Sequence, residues 1–442
     1  LATIYIAEAR ALRALYYFEL VRRWGNIPLM TSTAMSNQHP STFVQADPVD
    51  VYKLIEEDLL YACDILPYAK DDTYRSSNDY RFSKGAALGL LAKVYATWAG
   101  YPIQDTSKWE AAAKTARILV ESGKHDLLND YEQLWKNTCN GIWDPTESLI
   151  EISFYSPTYS GNSDPVGRIG KWNGVKTTVD AGRSGSTAAN VQVVHSFVLD
   201  WREEAKPDET TGISPDRRQN LSIANYKHGH NDSKTGAVYL DDYYLAASIP
   251  NDNAATALSK DLDPEKSQKA KQTYTPAKWD IDKYMESIPF INNDKSTVNW
   301  YVLRYADVLL LYAEALNEWK GGPTTEAYAA INKVRKRGYT KADGTINKDY
   351  SLKEGLDQTA FREAVHKERA YELAFEGHRR LDLVRWGVYY ETVQNTYNAL
   401  KNWWSSANYV VYDYTEKGKH ELMPIPQREM DLCTQFEQNP GW

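Results

Sequence analysis

Apolar side chains recur at three- and four-residue spacing near both ends of the chain and lose this regularity in the middle. Such spacing places the apolar positions on one face of an α-helix. At the N-terminus the pattern begins almost at residue 1, so we expect the chain to start inside or at the edge of a helix, as a truncated sequence would. The apolar stripe of this first helix consists of Ile4, Ala7, Ala11, Ala14, Phe18 and Val21.

Three further helices are predicted before residue 123. Asp47 followed by Pro48 is a helix start signal, with an N-cap residue and then proline at the first helical position, and Pro67 ends this helix. Residues 84–98 and 108–122 form the next two, joined by a Gly-Tyr-Pro turn. Because alanines lie beside large aromatic side chains on their apolar faces, these two helices can approach closely as an αα-hairpin.

Helical spacing returns in the last third of the chain. It covers residues 301–320 and 325–337, which a Gly-Gly-Pro sequence separates, and then residues 361–375 and 388–402. Helix pairs that stack on their neighbours are typical of tetratricopeptide-like solenoids. The predicted fold class is therefore mainly α, with tetratricopeptide-like helix pairs forming a scaffold.

The middle of the chain is irregular in composition. Glycine, proline, asparagine, serine and aspartate dominate residues 139–299, and only residues 148–155 clearly predict a strand. A structureless loop of this length is implausible in a compact domain, so we expect short strands and helices there. We divide one compact domain into an N-terminal helical part, residues 1–138, an irregular part expected to bind a ligand, residues 139–300, and a C-terminal helical part, residues 301–442.

Composition argues against several classes of function. The formal net charge of −8 disfavours nucleic acid as a partner. The three cysteines lie far apart without C-x-x-C spacing, so they encode neither a zinc cage nor a dense disulfide framework. The longest apolar stretch, residues 308–316, is far shorter than the roughly 20 residues of a spanning helix. Histidine spacing and loop motifs predict no metal site, no cofactor and no nucleophile elbow.

Four stretches spread along the chain are specific when taken in order, together with the closing sequence QNPGW. Through them the chain resembles the SusD/RagB-like family of outer-membrane nutrient-binding lipoproteins, and PDRRQN at residues 215–220 and Lys283-Tyr284 resemble further family features. The four stretches are AEARALRALYYFELVRRWGNIPL (7–29), RFSKGAALGLLAKVYATWAG (81–100), YVLRYADVLLLYAEALNE (301–318) and ERAYELAFEGHRRLDLVRWG (368–387).

The resemblance implies a surface-exposed lipoprotein of the outer membrane of a Gram-negative bacterium. Members of the family capture oligosaccharides or polysaccharides and deliver them to a SusC-like TonB-dependent transporter. They attach to the membrane through an N-terminal lipid anchor, which this sequence does not contain, and they carry a further N-terminal portion before the first matching helix. Ligand contacts made by that portion cannot be transferred to this chain.

A charged run near the C-terminus has two interpretations. Paired carboxylates can serve as the acid and nucleophile of a glycosidase, which requires them to lie about 5 to 10 Å apart. Alternatively, carboxylates on a buried helix face require cationic partners and lock helices together. We favour the second interpretation and predict a non-catalytic protein. The structural ion-pair network is predicted to contain Arg304, Glu368, Glu372, Glu376 and Arg380, if the helix continues through Gly377.

Aromatic composition points to the ligand. The chain has 32 Tyr and 14 Trp but 9 Phe, a skew that favours rings with an apolar face and a polar edge. Rings in the irregular part are less committed to helix packing, and loops often carry binding residues. The predicted glycan-binding residues are Tyr159, Trp172, Asn173, Trp201, Tyr243, Tyr244 and Trp279, although local packing is an alternative for each one.

Three functional hypotheses follow. The favoured one is glycan binding without bond cleavage, followed by delivery to the transporter. A helical-repeat scaffold that binds only protein partners is the second, and a glycan-active hydrolase is the least favoured.

Overall fold

The N-terminal part of the chain is helical, as its periodicity predicts. A computed structural model describes residues 1–32, 37–75, 79–154, 167–177, 187–208, 213–224, 274–286, 295–347, 349–403 and 410–442. Short 3₁₀ turns at Pro40–Thr42 and Ala69–Asp71 accompany the first helices. The α-helices here are α1 (Ala2–Trp24), α2 (Pro48–Ile65), α3 (Lys84–Trp98), α4 (Lys108–Glu121) and α5 (Tyr131–Asn140).

The start of α2 shows how sequence sets a boundary. The carboxylate of Asp47 accepts a hydrogen bond from the backbone N–H of Val49 at 2.8 Å, and Pro48 occupies the first helical position. This cap satisfies a backbone donor that has no partner within the helix. The predicted N-cap is confirmed.

The irregular part contains the short elements that its length required. The strand predicted over residues 148–155 forms as β1 (Ser148–Ile152). The other elements are α6 (His195–Glu204), α7 (Arg217–Ser222), β2 (Ile223–Ala224), β3 (Thr275–Pro276) and α8 (Ile281–Tyr284), with β2 and β3 antiparallel.

The C-terminal part is again helical, but its first element is a strand where a helix was predicted. Residues 301–304 were expected to begin a helix, but they belong to a strand, β4 (Trp300–Arg304), antiparallel to β1 with Glu151 opposite Tyr301. The helices that follow are α9 (Tyr305–Lys320), α10 (Thr325–Gly338), α11 (Gln358–Glu372), α12 (Arg379–Arg385), α13 (Tyr389–Trp403), α14 (Val410–Asp413) and α15 (Gln427–Leu432).

The helices stack in succession around one large core. Helix α1 packs on α2, α2 on α3, and α3 on α4; α4 then packs on α9, which also contacts α10 and α11. The predicted apolar stripe of α1 is buried throughout. The mainly α fold with tetratricopeptide-like helix pairs is confirmed, and none of the described helices is long and apolar enough to cross a membrane.

Close packing joins the strand pair to the helices at Gly89 of α3. A Cβ atom at this position would lie 3.0 Å from Leu149 of β1 and 3.1 Å from Leu303 of β4 and from Val308 of α9. Glycine therefore lets β1, β4 and α9 approach the α3 backbone. The strand pair is thereby tied to the scaffold, next to the irregular part of the chain.

Candidate functional site

A cluster of buried charges lies where α11 ends. Glu372, the last residue of α11, accepts hydrogen bonds at Oε1 from Nη1 of Arg304 and Nη2 of Arg337, both at 2.5 Å. Its Oε2 accepts from Nη1 of Arg218 at 3.0 Å. Burial on its own would raise the pKa of Glu372, but the charges of Arg337, Arg304 and Arg218 hold this pKa well below its ordinary value.

Glu376 binds two cations in the same cluster. Arg304 donates to both of its carboxylate oxygens, and Nζ of Lys278 donates to its Oε1 at 2.6 Å. Burial lowers the pKa of Lys278 to about 8, even though Glu376 favours the charged form. Further ion pairs of the cluster include Arg304–Glu147 (2.9 Å), Arg337–Glu147 (2.6 Å), Arg218–Glu368 (2.5 Å) and Arg335–Glu368 (2.9 Å).

These contacts define an ion-pair network that joins β4, α7, α10 and α11. Each of its glutamates is buried and accepts hydrogen bonds from at least two cationic side chains, an arrangement that locks elements together. The network contains four residues predicted from the sequence, namely Arg304, Glu368, Glu372 and Glu376.

Arg380 was also predicted to belong to this network, and the structure places it elsewhere. Its guanidinium donates to the backbone carbonyl of His420 at 2.7 Å. The reason is that α11 ends at Glu372 and the chain turns at Gly377, where φ is +80°, so Arg380 belongs to a separate helix. The condition that the helix continue through Gly377 is not met.

Several network residues were not predicted from the sequence. Arg218 lies in the PDRRQN stretch, which resembles a family feature but carries no signal of an ion pair, and Arg335 and Arg337 lie in the basic run that ends α10. Lys278 and Glu147 carry no local signal, because their partners are far away in sequence.

The network also fixes the turn after α11. The carbonyl oxygen of Glu372 accepts hydrogen bonds from Oη of Tyr131 at 3.2 Å, Nζ of Lys278 at 3.0 Å and Nη2 of Arg304 at 2.7 Å. This turn carries Phe375 with a φ of +69°, a strained conformation for a bulky residue. The buried charges therefore hold an aromatic ring in a position that the backbone alone disfavours.

Trp172 lies on a tight turn and presents its ring to solvent. The residue is 41% exposed, and the guanidinium carbon of Arg168 lies over its ring, 4.5 Å from the centroid. Oδ1 of Asn173 accepts a hydrogen bond from the backbone N–H of Gly170 at 2.8 Å, which closes the turn. A Cβ atom at Gly174 would lie 2.8 Å from the carbonyl oxygen of Trp279, so the turn rests directly on that residue.

Trp201 and Trp279 lie in the interior, at 0% and 1% exposure. The ring of Trp201 stacks on Tyr371 with centroids 4.7 Å apart, and its Nε1 donates to Asp216 at 3.1 Å. Trp279 stacks on Trp300 at 5.0 Å. The structure does not bring these two rings to the surface with Trp172, because they pack into cores shared between the irregular part and the helical parts. The other predicted residues, Tyr159, Tyr243 and Tyr244, lie outside the described residues.

A cleft of about 420 Å³ opens between α6, the turn after α11, and α13. Partly buried aromatic rings line it, including Phe197 of α6 and Phe375 of the strained turn. Polar side chains, among them Ser196, Asp200 and Thr392, also reach its wall. An apolar lining with a few convergent polar groups is typical of small-molecule sites.

A wider groove of about 790 Å³ runs along the outer side of α1. Exposed side chains of that helix, such as Leu12, Tyr16 and Leu20, line it together with Ile425 and Phe436. Its lining is mostly apolar, so it offers few partners for the hydroxyl groups of a sugar.

Across the described ranges, no group of three or more His, Cys, Asp or Glu side chains is arranged to hold a metal ion. Cys63, Cys139 and Cys433 are all free, and burial raises the pKa of Cys63 to about 12, which leaves its thiol protonated.

The chain is similar to known proteins over its whole length. Residues 4–96 match a family described as starch-binding and associating with the outer membrane, and residues 146–442 match the SusD family. The SusD-like protein P25 of Formosa agariphila is 26% identical over 97% of this chain and 70% of its own length.

Solved structures of SusD-like proteins are similar to this chain in fold. A SusD homolog from Bacteroides thetaiotaomicron is 68% identical, with a TM-score of 0.89 over 100% of this chain and 79% of that one. A laminarin-binding SusD-like protein is 27% identical, with a TM-score of 0.62 over 99% of this chain and 78% of that one. Because the SusD match alone covers more than half of the sequence, the chain belongs to the SusD family.

Proposed function

We propose that this protein binds oligosaccharides at a bacterial cell surface without cleaving them. The observation that carries the proposal is the exposed ring of Trp172 on a turn fixed by Asn173. A sugar packs its C–H face on such a ring, while its hydroxyl groups require polar neighbours. Preorganisation of the turn lowers the entropic cost of binding.

The relatives support the same class of ligand. The family matched by residues 4–96 is described as starch-binding, and one structural relative is described as binding laminarin. Starch and laminarin are both glucans, so glucose-based oligosaccharides are the first ligands to test.

Binding without cleavage fits the occupation of the network carboxylates. A glycosidase needs one carboxyl group to donate a proton and a second to attack or to activate water. Glu372 and Glu376 are buried and hydrogen-bonded to Arg304, and Glu372 also binds Arg218 and Arg337. Carboxylates that are paired with arginines in this way stabilise the fold, so we propose that the protein binds glycans without cleaving them.

The proposed location and partner come from the family. We place the protein at the outer membrane as a surface-exposed lipoprotein, in line with the description of the family matched by residues 4–96. In this proposal a SusC-like TonB-dependent transporter receives the bound oligosaccharide.

A binding screen with product analysis tests the proposal. The purified chain is run in native affinity gels that contain laminarin or soluble starch and is applied to a glycan array. Retardation by at least one glycan is expected, and chromatography after overnight incubation should recover that glycan unchanged. Absence of binding to every glycan, or release of shorter products, would refute capture without cleavage.

A further inference from the structure

We propose that the cleft between α6, the turn after α11, and α13 is a second carbohydrate-binding subsite. This inference rests on the proposed glycan-binding function and extends it to a place that the Trp172 turn does not occupy. Its volume of about 420 Å³ is within the range of small-ligand sites.

Two aromatic rings give the cleft an apolar wall. Phe197 and Phe375 both line it, with centroids 6.4 Å apart and ring planes at 86°. Phe197 is supported from behind by Trp201 at 5.6 Å and Tyr371 at 6.0 Å. These contacts restrain the wall, and Phe197 and Phe375 are both half-buried.

The strained backbone at Phe375 strengthens the inference. A positive φ at a bulky residue costs free energy and persists only where the surroundings enforce it. Here Tyr131, Lys278 and Arg304 all donate to the carbonyl of Glu372 at the start of the same turn. The network thus maintains a strained residue whose ring lines an open cleft, as is common at ligand sites.

Polar groups at the cleft are available to a ligand. Within the part of the chain that the structure describes, the carboxylate of Asp200 and the hydroxyls of Ser196 and Thr392 line the cleft without a hydrogen-bond partner from the protein. A carboxylate accepts hydrogen bonds, and a hydroxyl both donates and accepts them, which suits the alternating donors and acceptors of a sugar.

The backbone links the cleft to the Trp172 turn. The N–H of Asn190 donates to the carbonyl of Trp172 at 2.7 Å, and Gln192, two positions further on, lines the cleft. Two extended residues span at most about 7 Å. The cleft therefore begins close to the segment that pairs with the turn.

The test uses the full chain labelled with 4-fluorophenylalanine. The chain has 9 Phe residues, so the ¹⁹F resonances of Phe197 and Phe375 can be assigned by single Phe→Leu replacements. Laminarihexaose and maltoheptaose are the probes. We expect at least one of them to shift both resonances saturably, and Asp200→Ala to weaken that binding about tenfold.

Glu203→Ala is the matched control, because Glu203 lies exposed on the same helix and does not line the cleft. It should leave the titration unchanged. Binding that depends on Trp172 but leaves both resonances unmoved would overturn the cleft subsite while leaving the proposed function intact. If neither these probes nor any glycan of an array binds, the proposed function fails and the subsite fails with it.

Discussion

The guanidinium of Arg304 donates to both carboxylate oxygens of Glu376, from Nε to Oε2 at 2.8 Å and from Nη2 to Oε1 at 2.9 Å. Such bidentate pairs fix relative orientation as well as distance. Arg304 ends β4 and Glu376 lies in the turn after α11, so this pair ties the strand pair to the turn that carries Phe375.

Replacing Arg304 with methionine should therefore destabilise the fold strongly. The change leaves Glu372 and Glu376 buried with fewer cationic partners, and loss of one member of a buried ion pair typically costs about 3 to 5 kcal/mol. Urea unfolding followed by circular dichroism measures this loss. Arg428→Met changes an exposed arginine and should alter the free energy of unfolding by less than about 0.5 kcal/mol. Equal effects of the two substitutions would contradict the structural role of the network.

Glu151 should make stability depend on pH. Burial raises its pKa to about 7, although Ser148 and Asn299 donate to its carboxylate at 2.7 and 2.9 Å. Between its ordinary pKa and about 7 the folded chain binds more protons at this group than the unfolded chain does. Its contribution to stability is thus complete below the ordinary pKa and is lost as the pH rises through 7.

Comparison with Glu151→Gln isolates this effect, since the amide does not titrate. Relative to the variant, the wild-type chain should lose about 3 kcal/mol of unfolding free energy between pH 4.5 and pH 8. Chemical denaturation at several pH values measures the difference. Glu363→Gln changes an exposed residue, so its unfolding free energy should depend on pH in the same way as that of the wild type. A difference between wild type and Glu151→Gln that stays constant with pH would show that the carboxyl group is not perturbed.

Gly89 should not tolerate even a methyl group without loss of stability. The Cβ of Gly89→Ala would lie within 3.0 to 3.1 Å of three side chains on β1, β4 and α9, and overpacking of this kind costs about 1 to 3 kcal/mol. Alanine is favoured over glycine in a helix interior by about 1 kcal/mol, but side chains of three separate elements would all have to shift, so we expect a net loss. At Gly322 nothing lies within 4 Å of the added carbon, so Gly322→Ala is the matched control. A thermal shift assay measures the melting temperatures of the two variants. A melting temperature for Gly89→Ala at or above that of Gly322→Ala would contradict the close packing.

The helical scaffold could be predicted because its cause is local. Burial of one helix face produces a period that is visible in the sequence, and the stripe of α1 is buried as expected. Strand β4 was not predicted, because periodicity gives no clear signal there. Tyr301 and Leu303 are buried in a short apolar run that continues directly into α9, and periodicity alone cannot separate a buried strand from a buried helix.

The candidate sites were less predictable because tertiary contacts define them. Trp172 and Trp201 both lie in the irregular part of the chain next to charged or polar residues, yet Trp172 is exposed and Trp201 is fully buried. Glu368, Glu372 and Glu376 are visible in the sequence as a charged run, whereas Arg218 is 154 positions from Glu372. No spacing rule connects residues so far apart.

The measurement that tests the account most directly is calorimetric titration of the protein and Trp172→Ala with the best-binding oligosaccharide from the glycan screen. Loss of the exposed ring should raise Kd by up to about tenfold, because stacking on an aromatic ring contributes roughly 0.5 to 1.5 kcal/mol. Trp442→Ala is the control, since its ring is 44% exposed at the other end of the chain, and it should bind as the wild type does. Unchanged affinity in Trp172→Ala, with wild-type stability, would contradict the claim that this ring holds the sugar.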